Sequence, residues 1–306
     1  MEEKIKSEIE KELIKEMNIK ETAYDIFFKA IFDRERECLF KILKIVLDIK
    51  ERFDNPIIMI GYEIPGINKN SKINKTDMLI ELNDNTYIHI EVNRKKENNV
   101  LSRNIIQISR IYGMLRKSGD NDKELDTLKV KQLNINAFPT FTGKPIEYIV
   151  ISEKESGIIV SEILNLCNID IDKCYEILYN KNIKDIPKLV RCGAIFKAKS
   201  LKEMSYILGD DILTMEEKEK FLNTVKEVNS DDRILQDWMV EDNARMKFEN
   251  QISTAWLDGR EEKTLEVIKN MLEENMNYDT ISKVTGKSIE EVKQIEKNIK
   301  DSDNQQ

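Results

Sequence analysis

The chain has 306 residues, of which 40% are apolar and 35% are charged, and its formal net charge is −8. This composition can bury a substantial core and excludes a disordered tail, and the length suits one large domain or two. No apolar run reaches the roughly eighteen residues that cross a bilayer, and the start, rich in lysine and acids, is no secretory signal. We therefore expect a cytoplasmic protein that has no membrane partner.

The cysteine and histidine counts exclude several classes of site. The four cysteines are widely spaced and include no C-x-x-C pair, so they and the single histidine, His89, form no familiar zinc or disulfide pattern. The chain has no dinucleotide-binding or Walker-type glycine motif and no nucleophile-elbow serine. Carboxylates, lysines and arginines remain, and these groups serve hard-metal chemistry on phosphate esters.

Apolar periodicity predicts an α/β first half and a helical second half. Two helices over about 24–32 and 39–47 precede strands over 57–64, 76–82 and 86–93, a helix over 100–116, and strands over 129–138 and 147–151. Everything after Gly157 is expected to be helical. The predicted segments are a charged N-terminal helix or extension (1–21), an α/β core (22–155), a helical region (156–258) and a C-terminal helix-turn-helix-like segment (259–306).

The C-terminal segment is typical of a helix-turn-helix. A helix over 279–284 precedes the tight turn Thr285-Gly286-Lys287, and Ser288 with Glu291 forms a capping box that starts the next helix. That second helix is electrically balanced, whereas a DNA-reading helix usually carries a basic surplus. Two interpretations stay open: DNA reading, or helix packing that includes a homodimer through the helical C-terminal region.

A local basic segment interrupts the acidic chain. Residues 94–117 contain seven lysines and arginines against one acid, Glu97. Within it, Arg103 and Arg110 are seven residues apart and therefore share one helix face, which suits two phosphates of one DNA strand. The alternative is a solvated helix face without a partner.

The hairpin over 76–93 carries the most informative pattern. Each of its strands has one apolar face, and both faces must meet the same core, which fixes the register. A three-residue loop over 83–85 satisfies this condition and pairs Ile80 with Ile88, so that Asp77 lies directly opposite Glu91. Opposed β-carbons are about 4.5–5.5 Å apart, a distance at which like charges repel.

An opposed carboxylate pair favours a cation between its members. Oxygens of Asp77 and Glu91 at this range can share one Mg²⁺ or Mn²⁺, with water completing the shell. Such an ion activates a bound water and stabilises charge on a phosphodiester. The alternative is an exposed hairpin face on which the two carboxylates splay apart into solvent.

The order of Asp77 and then Glu91-Val92-Asn93, with a helix on either side, resembles the PD-(D/E)XK nuclease superfamily. More narrowly, it resembles the recombination-promoting nuclease and transposase branch. Further matches are Asp25-Ile26-Phe27-Phe28-Lys29-Ala30-Ile31-Phe32, similar to the family's D-x-x-F-K-x-x-F element, then Arg103, Gly259-Arg260-Glu261-Glu262 and Thr285-Gly286-Lys287-Ser288. The likeness is strongest over 22–151. It implies an α/β, restriction-endonuclease-like core with a mixed sheet flanked by helices, followed by a helical C-terminal region.

The resemblance implies roles for the hairpin residues. Asp77 and Glu91 would bind Mg²⁺ or Mn²⁺ together with the backbone carbonyl of Val92, and Asn93 would position the attacking water. Asn93 is a departure, because this position is usually Lys in the superfamily and Gln in the branch. Its amide has the chemistry of Gln on a shorter stem and supplies no positive charge. Lys95 is a candidate to supply that charge if the strand continues, and the alternative is a solvated lysine.

Three further residues are candidate accessory groups. His89 shares the strand face of Glu91, where it is either a proton carrier or simply a hydrogen-bond partner of a neighbour. Asp25 and Lys29 either project from the first helix toward the hairpin or stay in solvent. Both interpretations of each residue stay open at this point.

Together these patterns predict a Mg²⁺-dependent DNA endonuclease that hydrolyses phosphodiester bonds, with a link to recombination, transposition or phage defence. The alternative is a catalytically silent DNA-binding or interaction protein of the same fold. The presence of both carboxylates favours the enzyme. A transcriptional regulator that uses the C-terminal helix-turn-helix is a weaker third interpretation.

Overall fold

The computed structural model describes residues 18–50, 53, 55–64, 74–82, 85–96, 98–115 and 128–303. Several sequence predictions lie outside these residues: the N-terminal extension before residue 18, residues 83 and 84 of the hairpin loop, and Glu97, Arg116 and Lys117 of the basic segment. The chain forms two compact units that divide after Leu235. Each unit is described separately below.

The first unit begins with two helices, α1 (Asp25–Arg34) and α2 (Arg36–Leu47). Four residues of α1, Phe27, Phe28, Ile31 and Phe32, recur at helical spacing and are buried. The phenylalanine rings pack against later helices of the same unit. For example, the ring of Phe32 stacks on the ring of Phe221, with 6.0 Å between the ring centroids. This packing fixes α1 against the rest of the unit and so determines where its polar side chains point.

The described part of the α/β core contains eight strands. They are β1 (Ile57–Ile60), β2 (Glu63–Ile64), β3 (Asn74–Lys75), β4 (Met78–Glu81), β5 (Thr86–Asn93), β6 (Lys129–Asn136), β7 (Ile146–Ser152) and β8 (Ile159–Asp170). Six form one sheet in the order β1-β4-β5-β6-β8-β7, and β2 pairs with β3. The sheet is mixed, because β5, β6 and β8 run parallel while its other neighbours pair antiparallel. Helix α3 (Val100–Leu115) lies in the connection from β5 to β6.

Both faces of the sheet are covered. On one face Leu79, Val130 and Leu166 pack with Ile108 and Ile111 of α3. On the other face Tyr148 donates its hydroxyl to the Val46 carbonyl of α2 at 2.6 Å. The predicted mixed sheet flanked by helices is therefore confirmed.

One prediction for the second half is wrong. Residues after Gly157 were expected to be helical throughout, yet β8 is a twelve-residue strand. It pairs parallel with β6 and antiparallel with β7, so the sheet core extends past the predicted boundary at residue 155. Pairing with these two strands provides hydrogen-bond partners for the backbone N–H and C=O groups of β8, and this favours the extended conformation.

The rest of the first unit is helical. Its elements are α4 (Ile171–Asn180), α5 (Lys188–Ala194), α6 (Leu201–Ile212), α7 (Met215–Asn229) and two 3₁₀ turns, Ile183–Asp185 and Ile195–Lys197. Side-chain caps start several of these helices: Asp170 caps α4, Ser200 caps α6, and Thr214 with Glu217 forms a capping box on α7. All four cysteines lie in this unit as buried free thiols.

The second unit consists of most of α8 (Asp232–Glu273), α9 (Tyr278–Thr285) and α10 (Ile289–Asp303). Ile268, Ile281 and Val292 form its small core. The predicted capping box is present, since Glu291 accepts from the Ser288 N–H at 2.7 Å and Ser288 Oγ accepts from the Glu291 N–H at 3.2 Å. Among the described helices, none combines the length and apolarity that crossing a membrane requires.

Candidate active site

The hairpin formed by β4 and β5 has the register that the sequence predicts. Ile80 pairs with Ile88 and Met78 with Ile90. Asp77 directly precedes β4, and the same register continued by one residue places it opposite Glu91. The buried apolar residues of both strands leave no other register that keeps one face in the core.

The Asp77 carboxylate is held at both oxygens. Its Oδ2 accepts the Val92 N–H at 2.7 Å, and its Oδ1 lies 3.1 Å from Lys29 Nζ. Burial raises the pKa of Asp77 to about 7, and the negative charges of Glu91 and Asp25 contribute to the increase. Val92 and Lys29 oppose the increase without cancelling it. Burial and the neighbouring carboxylates therefore outweigh the two groups that stabilise the ionised form.

Lys29 joins the first helix to this carboxylate. Its ammonium lies 2.6 Å from Asp25 Oδ1 as well as 3.1 Å from Asp77 Oδ1. Burial alone would lower the pKa of Lys29, but the hydrogen bonds and charges of Asp25 and Asp77 raise it. Lys29 thus reaches the hairpin, and Asp25 is joined to it through Lys29, so neither residue simply stays in solvent.

Glu91 is buried and bonded to the single histidine. His89 Nε2 lies 2.7 Å from Glu91 Oε1, and the imidazole is fully buried. His89 Nδ1 has no hydrogen-bond partner among the described residues. The imidazole therefore orients the carboxylate from behind, as a positioning partner does.

Asn93 is also buried, and both ends of its amide are engaged. Its Oδ1 accepts from Arg103 Nη2 at 2.6 Å, and its Nδ2 donates to Asn136 Oδ1 at 3.0 Å. Arg103 therefore reaches the end of β5 from α3. The strand ends at Asn93, and Lys95 lies beyond this end as an exposed residue. The alternation of side chains along the strand therefore does not extend to Lys95, and the predicted position of Lys95 on the strand face of Glu91 depended on that alternation.

A row of buried amides beside the hairpin was missed in the sequence. Gln132 Nε2 donates to Asn134 Oδ1, and Asn134 Nδ2 donates to Asn168 Oδ1, each at 2.8 Å. Asn168 Nδ2 donates in turn to Glu147 Oε1 at 2.8 Å. Polar residues at every second position of β6 were the available sign, because they mark the strand face that continues from His89, Glu91 and Asn93.

The amide row ends in a fixed loop. Glu147 is buried and accepts the backbone N–H groups of Phe141 at 3.1 Å and Thr142 at 3.0 Å. Burial opposes ionisation, but the bonds from Asn168, Thr142 and Phe141 outweigh it and lower the pKa of Glu147. The loop after β6 is thus tied to the same polar face as Asn93.

The basic segment is less available for DNA than the sequence suggests. Arg94 pairs with Glu21 at 3.1 Å and lies 3.7 Å above the Tyr24 ring. Arg103 and Arg110 both lie on α3, whose buried face consists of other residues. These two arginines remain candidates for phosphate contacts, with Arg103 placed at the hairpin end.

The donor set fits a small divalent cation. Mg²⁺ is usually bound through one or two carboxylates and keeps several waters. Asp77 and Glu91 supply two carboxylates, and the main chain of Val92 lies beside Asp77. Burial, with the negative charges of Glu91 and Asp25, raises the pKa of Asp77. Within the described ranges no three His, Cys, Asp or Glu side chains converge as metal ligands, so the site would depend on the carboxylate pair and water.

Comparison with known proteins adds no relative. No family model matches the chain, and no curated protein and no solved structure is significantly similar to it. The functional interpretation therefore depends on the motif and on the geometry described above.

Proposed function

We propose that this protein is a Mg²⁺- or Mn²⁺-dependent DNA endonuclease of the PD-(D/E)XK type. The observation that carries the proposal is the half-buried Asp77 carboxylate, which lies opposite the buried Glu91 and has a raised pKa. Val92 and Asn93 follow Glu91 on the same strand. A buried carboxylate pair is costly for a structural element, and such perturbed groups are typical of functional sites.

Different residues of the hairpin would have different roles in catalysis. Asp77 and Glu91 would hold the ion with the Val92 carbonyl, while His89 fixes the orientation of Glu91. A bound divalent ion lowers the pKa of a coordinated water and stabilises negative charge on the phosphodiester. Asn93, fixed by Asn136, would orient the attacking water.

Lys29 is a candidate for the positive charge that Asn93 lacks. Its ammonium lies 3.1 Å from Asp77 Oδ1, whereas Lys95 lies past the end of the strand. An ammonium at that distance is suited to neutralise charge on a phosphate oxygen bound beside Asp77. The proposal therefore assigns to a helix residue the role that a motif lysine has elsewhere in the superfamily.

One observation favours the silent alternative. Both Asp77 oxygens already have partners, namely Val92 and Lys29, so the ammonium of Lys29 occupies part of the space a cation would use. A protein in which this arrangement is permanent would bind DNA without cutting it. A nuclease and a silent DNA-binding protein can therefore be distinguished by one measurement, metal-dependent DNA cleavage.

Plasmid nicking by the full-length chain provides that measurement. The parent should convert supercoiled plasmid to nicked or linear DNA with Mg²⁺ or Mn²⁺ and not with EDTA, and Asp77→Asn and Glu91→Gln should abolish cleavage. Glu81→Gln is a matched control, because Glu81 is a β4 carboxylate that bonds Tyr87 at 2.8 Å outside the site. A parent that is as inactive as Asp77→Asn with both metals leaves only the silent alternative.

A further inference from the structure

A second concave site lies in the helical part of the first unit. It is a groove of about 1030 Å³, at the upper end of the range of roughly 300–1,000 Å³ usual for ligand pockets. Helices α4, α5 and α6 supply most of its lining, and no residue of the hairpin site takes part in it. The function proposed above leaves this groove unexplained.

One exposed tyrosine of the groove is held rigidly. Tyr179 is 70% exposed, yet its hydroxyl bonds Glu203 Oε1 at 2.9 Å and the Tyr175 hydroxyl at 2.8 Å. Glu203 is itself fixed, because its Oε1 also accepts from Tyr175 and its Oε2 accepts the Lys199 N–H at 2.7 Å. An aromatic ring that is exposed but already ordered loses little entropy when a flat ligand stacks on it.

A second exposed ring and several cations also line the groove, together with the acids Asp210 and Asp211, which pair with Lys218 and Arg191. Tyr206 is 60% exposed on α6. Lys184, Lys199 and Lys202 are exposed along the groove, and their ammonium groups form no ion pair with any described residue. These rings and free cations are the two components that single-stranded nucleic acid requires, a stacking platform for bases and positive charge for phosphates.

Arg191 adds a buried cation to the groove wall. Its side chain is only 7% exposed, and it pairs with Asp211 and donates to the Ile207 carbonyl at 3.3 Å. The Nε group is buried and has no hydrogen-bond partner in the described part of the chain. Because this Nε has almost no exposed surface, Arg191 shapes the groove wall through its pairing with Asp211 and does not offer a contact to a ligand.

We propose that this groove binds single-stranded nucleic acid, with bases stacked on Tyr179 and Tyr206 and phosphates held by the surrounding lysines. Duplex DNA fits less well, because its bases already stack on one another and present no free ring faces. Sequence preference should be weak, since every base has a ring face and the lining offers no row of paired donors and acceptors.

The groove and the hairpin site are joined by one short stretch of chain. Ile19 donates to the Lys199 carbonyl at the groove rim at 2.9 Å, and six residues later Asp25 contacts Lys29. Six residues span at most about 22 Å, which is on the order of six stacked nucleotides. Resting on the proposed nuclease function, the inference adds that the groove holds a single-stranded portion of the substrate near the cutting site.

Binding can be measured without cleavage. Fluorescence anisotropy of the full-length chain in EDTA, with a labelled oligodeoxythymidylate of about 12 nucleotides, isolates the groove from metal chemistry. Tyr206→Ala and Tyr179→Ala should each weaken binding roughly tenfold, whereas Tyr206→Phe keeps the ring and should bind like the parent. Phe248→Ala is the matched control, because Phe248 is an exposed aromatic residue of α8 outside the groove.

The outcomes separate this inference from the nuclease proposal. Asp77→Asn should bind the oligonucleotide like the parent even where it no longer nicks plasmid. Lys202→Ala should reduce the slope of log affinity against log salt concentration by about 0.7. Circular dichroism checks that each variant is folded. A parent that does not bind the oligonucleotide, or Tyr179→Ala and Tyr206→Ala variants that bind as tightly as the parent, would overturn the inference whatever the nicking result.

Discussion

Asp77 is the residue on which the electrostatics of the hairpin converge. It is half-buried opposite Glu91, accepts a backbone N–H, pairs with one ammonium, and still has its pKa raised to about 7. An ordinary aspartate ionises near pH 4, so the folded protein holds this proton over about three further pH units. Above about pH 4 this carboxyl group therefore lowers the stability of the metal-free folded protein.

Asp77→Asn should stabilise the metal-free protein at alkaline pH. Between about pH 4 and 7 the unfolded chain loses the Asp77 proton while the folded chain keeps it, so parent stability falls with rising pH across that window and stays reduced above it. The amide avoids this cost and should gain on the order of 1–3 kcal/mol at pH 8 and little at pH 4. Urea denaturation in EDTA at the two pH values measures the difference. A variant less stable than the parent at pH 8 would contradict the burial argument.

Asn93, Lys29 and Lys95 are the three candidates for the role of the third motif residue, and the cleavage rates of their variants distinguish them. Asn93→Ala and Lys29→Gln should each lower the cleavage rate roughly 10²-fold, because each removes a positioned group next to Asp77. Asn93→Gln keeps the amide donors and acceptors and should retain more activity than Asn93→Ala. Lys95→Ala should cleave like the parent, since Lys95 lies beyond β5. Inactive Lys95→Ala beside active Asn93→Ala would show that Lys95 fills the position.

At the scale of elements, the pairing of the two hairpin strands was predictable because their apolar pattern allows only one register. Alternating apolar residues fix which face of each strand meets the core, and the loop length then fixes the pairing of Ile80 with Ile88. The amide row of β6 was missed because the apolar positions alone suffice to predict a strand. Its polar positions gain meaning only when β8 brings Asn168 beside Asn134.

Strand β8 shows where periodicity is insufficient. Its C-terminal half, residues 166–170, is buried on both faces, and strands of that kind do not alternate cleanly between apolar and polar residues. Parallel pairing with β6, which precedes β7 in the chain, supplies backbone hydrogen bonds that a local pattern does not reveal. The contrast with the C-terminal capping box is instructive, because that box is complete within four residues and was predicted correctly.

The two arginines of α3 should differ in their effects. Arg110→Ala removes one candidate phosphate contact, so it should weaken binding to all DNA sequences alike and reduce the salt slope by about 0.9. Arg103→Ala should also lower the cleavage rate, because Arg103 bonds Asn93 at 2.6 Å. Affinity measured against salt concentration, together with nicking rates, distinguishes the two. An unchanged slope in the double variant would show that α3 is merely solvated.

For the whole molecule, the net charge of −8 opposes DNA at long range. Attraction to DNA would then come from local clusters, such as the arginines of α3 and the lysines of the groove. Binding that depends on few phosphate contacts should be strongly weakened by salt. Within the second unit Lys283 and Lys287 are paired with Asp279 and Glu291, which favours helix packing over DNA reading there.

Calorimetric titration with Mn²⁺ tests the carboxylate pair as a metal site most directly. The parent should bind the ion at a single carboxylate site, more tightly at pH 8 than at pH 6, because Asp77 must lose its proton before it binds a metal. Asp77→Asn and Glu91→Gln should lose this binding, and Glu81→Gln should keep it. A parent that binds no Mn²⁺, or variants of Asp77 and Glu91 that bind as the parent does, would contradict the assignment of this hairpin as a metal-dependent nuclease site.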